Sequence, residues 1–170
     1  FHYVIFGTGT LIATNDKGES INYSIKSGQG FMIFPGQVCT YIADANIPWE
    51  YVWIEFDGLK AKQIIEMTGL NVNHPVYRAR YKDIASSMKN EMLYIVNNKD
   101  KSPFHLMAHL FLFIDTLIRS SATTQLNKGN SLRDYYIKEA LTFIEQNFQY
   151  DITIEDIAAC CGLNRSYFGK

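Results

Sequence analysis

Hydrophobic and polar positions change period once along this chain. From Phe1 to Phe56 they alternate in short runs, HYVIF, TLIAT, SINYSI, FMIF, VCTYIA and YVWIEF, rich in β-branched and aromatic residues. The alternation predicts six strands. Asn15-Asp16-Lys17-Gly18 fits a hairpin loop, Ser27-Gly28-Gln29-Gly30 a second turn, and Pro35-Gly36 a tight turn. No crossover helix fits between strands so closely spaced, which excludes a parallel sheet and leaves a sandwich or barrel.

After Asp57-Gly58 the period becomes helical. Leu59 to Thr68 reads as a short helix ended by Gly69, and Asn71 to Arg80, which contains Pro75, as a loop. Tyr81 to about Asn98 forms the next helix, with Ile84, Met88, Met92 and Ile95 on one stripe. Ser102-Pro103 then caps a helix running to about Arg119. Phe104, Leu106, Met107, Leu110, Phe111, Leu112, Phe113, Ile114, Leu117 and Ile118 make it apolar nearly all round, which predicts a partner surface.

Ser120 to Ser131 is small, polar and aperiodic, and reads as a linker. Beyond it Ile137, Leu141, Ile144 and Phe148 recur at helical spacing, and Thr153 with Asp156 fits a capping box. Ile154 to Cys161 reads as a helix, Gly162 as a turn, and Asn164 onward as another helix. Two short helices joined through one glycine have the helix-turn-helix layout.

The 170 residues leave room for one domain plus a small appendage. With 47% hydrophobic and 19% charged residues the chain can bury a core, and no uncharged apolar run is long enough to span a membrane. We expect a soluble globular protein. The net charge of -1 removes the bulk argument for a strongly basic nucleic-acid binder but leaves room for a local basic face. Three cysteines form no paired framework and no leader precedes the first strand, so the expected compartment is the reducing cytoplasm. The chain opens inside a strand without methionine and closes inside a helical pattern, and we read it as a fragment of a longer protein.

Signals for catalysis are weak. His105 and His109 have the i, i+4 spacing of two zinc ligands, but Leu106 stands where a catalytic glutamate belongs and no third ligand lies nearby, so no metal site is expected. Gly7-Thr8-Gly9 and Gly28-Gln29-Gly30 lack the third glycine and the following helix of a dinucleotide loop, and read as β turns. Cys39 has no evident base, Glu55 and Asp57 can face solvent as readily as a substrate, and no nucleophile elbow is present. A metal enzyme of this β class needs a His and Glu cluster on its strands, where His2 is the single histidine. We expect neither an enzyme nor a cofactor.

Two patterns point to binding. Trp49, Tyr51 and Trp53 alternate and so share a face, which Tyr41 in the preceding strand can join. Such a face suits a flat, hydroxyl-rich ligand, and it suits an ordinary barrel core equally well. At the other end Ala158 and Gly162 allow close helix contact, with Ile157, Leu163 and Phe168 as the apolar wedge. Arg165, Ser166, Gly169 and Lys170 are then the outward positions, with Asn164 placed for a phosphate. Four basic and six acidic residues from Arg133 to Lys170 give a net of -2, which argues against strong DNA binding by this piece alone.

The run GQGFMIFPGQVCTYIADANIPWEYVWIEFDG resembles the sensory domain of AraC-type transcription regulators. YIKEALTFIEQNFQYDITIEDIAACCGLNRSYFGK resembles the start of that family's DNA-binding domain. Within the family these runs are similar to regulators of oligosaccharide utilisation in Gram-positive bacteria, of the raffinose and multiple-sugar type. The resemblance implies an α+β fold: a cupin-like β-barrel with C-terminal dimerisation helices over 1–119, a linker over 120–131, and a truncated all-α helix-turn-helix domain over 132–170. It implies ligand contacts at Tyr41, Tyr51 and Trp53, the last as a sugar-stacking indole, and DNA contacts by the parent protein at Asn164, Arg165, Ser166 and Lys170. Cys39 stands where many cupin-like sensors have histidine, which counts against a metal-bearing enzyme. The implied partners are a sugar or related small effector, a second copy of the chain and, for the parent protein, DNA. The alternatives are a cupin-like enzyme and a stand-alone sugar-binding module.

Overall fold

The computed structural model describes residues 1–58, 61–124 and 132–169. Phe1–Gln125 and Leu126–Lys170 form separate compact units.

In the first unit the alternating half of the sequence gives two antiparallel sheets. One contains β1 (His2–Phe6), β4 (Gln29–Phe31), β6 (Glu50–Trp53) and β7 (Val76–Arg78), in the order β6-β1-β4-β7. The other contains β2 (Thr8–Thr14), β3 (Ser20–Lys26) and β5 (Cys39–Ala43), in the order β3-β2-β5. These strands face each other as a sandwich, and the described residues form no continuous barrel ladder, so the barrel expectation is replaced by two sheets. Strand β7 falls inside the stretch read as loop. Its Tyr77 is fully buried and shares a 2.7 Å hydrogen bond with Ser120 Oγ, a contact that no local pattern announces.

Gly7 makes the crossing from one sheet to the other. Its φ of 77° lies in the left-handed region, and a Cβ there would sit 2.2 Å from the Pro48 carbonyl oxygen. Only glycine fits both conditions.

Period-2 alternation sends neighbouring residues of the first sheet into different cores. Val4, Phe31 and Val76 pack against Leu11, Ala13 and Ile25 of the facing sheet. Phe1, Tyr3, Val52, Ile54 and Tyr77, on the opposite face, meet the helices through Met88, Met92, Phe113, Ile114 and Leu117. Those helices are α1 (Ala61–Thr68), α2 (Lys82–Asn97) and α3 (Pro103–Ser120). Ser102 accepts from the His105 backbone N–H at the start of α3, as its cap position requires. One stripe of α3 is buried, while Phe104 remains 83% and Phe111 60% exposed together with Met107 and Leu112. No helix among the described residues is long and apolar enough to cross a membrane.

The stretch read as linker begins as packed chain. Ser120, Ser121 and Thr124 are buried, and the hydroxyls of Ser121, Thr123 and Thr124 all donate to the Thr68 carbonyl oxygen. Arg80 donates to the carbonyls of Ala122 and Thr124. These bonds satisfy polar groups that burial would otherwise strand. Residues 125–131 lie outside the described residues.

The second unit contains α4 (Leu132–Asn147), α5 (Ile154–Cys160) and α6 (Arg165–Phe168). Thr153 and Asp156 form the expected capping box, and Gly162 turns the chain at φ 69°. Ala158 is buried, with Ile157, Leu163 and Phe168 partly buried around the turn. On α4 Ala140 is buried, whereas Ile137 and Leu141 are exposed.

Candidate functional site

A row of rings crosses the sheet face that looks toward β5. Register pairs His2 with Phe31 on one side and with Trp53 on the other. The His2 and Phe31 rings stack at 4.7 Å and 4°, and Trp53 lies 6.3 Å from His2 at 22°. Tyr51 of β6 and Tyr41 of the facing sheet approach the imidazole at 5.6 and 5.3 Å. Tyr41 and Tyr51 stand edge to face at 6.1 Å, and Trp49 lies 6.4 and 6.3 Å from them. Sequence alternation had joined Tyr41, Trp49, Tyr51 and Trp53; the structure brings these four together and adds His2 and Phe31.

Gly9 lets this happen. A Cβ on Gly9 would lie 2.5 Å from the Trp49 indole, so the bare backbone of β2 is the surface on which that ring rests.

These rings are incompletely covered. Trp53 is 54% exposed, Tyr41 39% and Tyr51 38%, whereas Phe31 beneath them is buried. Aromatic pairs of this geometry contribute about 0.5–1.5 kcal/mol each, which orders the rings without burying them. The arrangement presents apolar ring surfaces beside phenol hydroxyls and an indole N–H.

His2 is the polar centre of the group. Its Nδ1 is buried and has no hydrogen-bond partner. An unmet buried polar atom costs about 1–3 kcal/mol, so its presence asks for an explanation. Burial lowers the imidazole pKa to about 4, which leaves the ring neutral at physiological pH. Hydrogen bonding with Tyr51, followed by burial, raises the Tyr41 pKa and keeps that phenol protonated. Sequence reasoning noted His2 but gave it no role, because a lone histidine in a strand carries no motif.

The other chemical candidates lie outside this row. His105 Nε2 meets the Tyr94 hydroxyl at 2.9 Å, and His109 Nδ1 meets Glu91 Oε2 at 2.6 Å while stacking on Tyr94. No group of three or more His, Cys, Asp or Glu among the described residues is arranged to hold a metal ion. Cys39 packs against the inter-sheet cluster, and burial raises its thiol pKa. Glu55 is exposed and Asp57 accepts from the Gly58 N–H. A depression of about 420 Å³ lined by Thr8, Thr10, Ser24 and Ile42 occupies the outer face of the second sheet. It bears no aromatic ring and is separate from the ring cluster.

In the second unit Asn164 Oδ1 accepts from the Tyr167 N–H as the cap of α6. Arg165 is bound to Glu155 at 2.6 Å, Ser166 is exposed, and Lys170 lies outside the described residues.

A family model described as the AraC-like ligand binding domain matches residues 1–114. The chain is 26% identical to the Msm operon regulatory protein of Streptococcus mutans over 99% of its own length. It is 26% identical, over 98% of its length, to the raffinose operon transcriptional regulatory protein RafR of Pediococcus pentosaceus. It is 22% identical, over 99%, to the lactose operon transcription activator of Staphylococcus xylosus. In each case the match spans 59% of the relative. The matched segment includes every strand and ring of the site just described, and on that ground the chain belongs to the AraC-like ligand-binding domain family.

Proposed function

We propose that this chain is the effector-sensing part of a sugar-responsive transcription regulator, and that Tyr41, Tyr51 and Trp53 line the effector site. The observation that carries the reading is the half-exposed aromatic row with its phenol hydroxyls, inside the segment that matches a ligand-binding domain. A pyranose offers the complementary pair of surfaces: an apolar C–H face to lie on Trp53 and hydroxyls to meet the tyrosines. Two relatives named for the raffinose and lactose operons support a carbohydrate effector. The domain would act by binding rather than by catalysis, without a cofactor, and the two facing sheets would serve as an open form of the cupin-like barrel.

Residues 1–119 would then sense the effector and dimerise, 120–131 would connect, and 132–170 would begin a helix-turn-helix domain. Exposed Phe104, Met107, Phe111 and Leu112 on α3 support dimerisation through that helix. Asn164, Arg165, Ser166 and Lys170 would face DNA in the parent protein. Arg165 must first exchange Glu155 for a phosphate or base, which accords with weak DNA binding by this segment alone. Ligand would shift the population among arrangements of sensor and DNA-binding parts because it contacts one of them best.

A thermal-shift screen against mono- and oligosaccharides, with Trp53→Ala as control, tests the reading. The expected result is a sugar that raises the melting temperature of the wild type and not of a folded Trp53→Ala variant. Stabilisation of both to the same degree would refute this placement of the site.

A further inference from the structure

We propose that His2 is the hydrogen-bonding contact for a hydroxyl of the bound saccharide, and that it selects uncharged sugars over sugar acids and sugar phosphates. This rests on reading the aromatic row as the effector site and adds to it a residue and a substrate class.

Position supports it first. His2 is the middle member of the row, flanked by Phe31 and Trp53 on adjacent strands and approached by Tyr41 from the facing sheet. The near-parallel stack on Phe31 fixes the plane of the imidazole, so its two nitrogens are held in set directions before any ligand arrives. Tyr77 provides the contrast. Its buried hydroxyl is satisfied by Ser120, whereas the buried His2 Nδ1 has no partner.

Chemistry supports it second. A neutral imidazole presents one donor and one acceptor, and a sugar hydroxyl both donates and accepts, so either tautomer can be matched. The ring stays neutral because the surrounding aromatics withhold water from the charged form. A carboxylate or phosphate in this row would exchange hydration for ring faces and a neutral imidazole, a loss that an uncharged sugar avoids.

The test titrates raffinose, lactose, galacturonic acid and glucose 6-phosphate into the full chain, as wild type, His2→Phe and His2→Gln. Near-ultraviolet circular dichroism checks that each is folded. Raffinose or lactose should bind the wild type while the two anionic sugars do not. His2→Phe, which keeps a ring on Phe31 but no nitrogen, should weaken binding at least about tenfold, and His2→Gln should recover part of it. Nitrogen-15 spectra of the unmutated protein give a readout independent of variant folding: the His2 ring resonances should move on sugar addition. Unchanged affinity in folded His2→Phe, or unmoved His2 resonances at saturation, would overturn the assignment while leaving the site reading intact. Binding of the anionic sugars as tight as that of the neutral ones would overturn the selectivity. Failure of every sugar to bind the wild type would remove the site reading and this inference together.

Discussion

The two faces of the β6-β1-β4-β7 sheet put similar side chains to different uses. Tyr3, Val52 and Tyr77 point to the helices, where they are buried and the Tyr77 hydroxyl is satisfied. Their neighbours His2, Tyr51 and Trp53 point the other way, where rings remain half-exposed and one buried nitrogen is unmet. A single residue step along a strand thus separates aromatics that hold the fold from aromatics that can hold a ligand. Composition does not distinguish the two groups. What differs is whether each polar atom and each ring face is already occupied.

Substitutions on the two faces should therefore have opposite signatures. Phe113→Ala, on the helix-backed face, should lower stability by about 3–5 kcal/mol in a denaturant melt, because it empties a fully buried site among packed rings. Trp53→Ala should weaken sugar binding at least about tenfold, about 1.4 kcal/mol, with a smaller effect on the melt. Loss of stability from Trp53→Ala as large as that from Phe113→Ala would erase the distinction. Tyr77→Phe should cost about 0.5–1.5 kcal/mol, the value of one hydrogen bond, since Ser120 can still donate to the Leu117 carbonyl.

Acid sharpens the comparison further. The His2 pKa is lowered from 6.5 to about 4 in the folded chain, so between those values the unfolded state binds more protons. Stability should fall as pH drops from about 6.5 to about 4, and the slope in that window should shrink in His2→Phe. Asp44 and Asp156, whose carboxyls backbone or side-chain hydrogen bonds hold below the usual range, contribute at lower pH. Equal slopes for wild type and His2→Phe would mean that His2 titrates as a solvated histidine.

Much of this fold is legible in the sequence because local rules and packing agree. The β2–β3 hairpin follows from Asn15 to Gly18, and the Thr153–Asp156 capping box from spacing alone. Strand β7 was hidden because three residues between Pro75 and polar neighbours show no alternation, and their burial comes from pairing with β4. Residues 120–124 misled because small hydroxyl side chains suit linkers, whereas here they bond to Thr68 across the fold. The aromatic face was readable from β6 alone, but His2 joined it only through cross-strand register, which sequence does not state.

On this reading Trp53 lies under the bound sugar. Trp49 and Trp53 are the two tryptophans of the chain, so Trp49→Phe leaves Trp53 as the sole indole reporter. Acrylamide quenching of that indole should be strong without ligand, because Trp53 is exposed, and should fall saturably as raffinose or lactose is added. A sugar that raises the melting temperature yet leaves the quenching unchanged would put the ligand elsewhere and contradict the account.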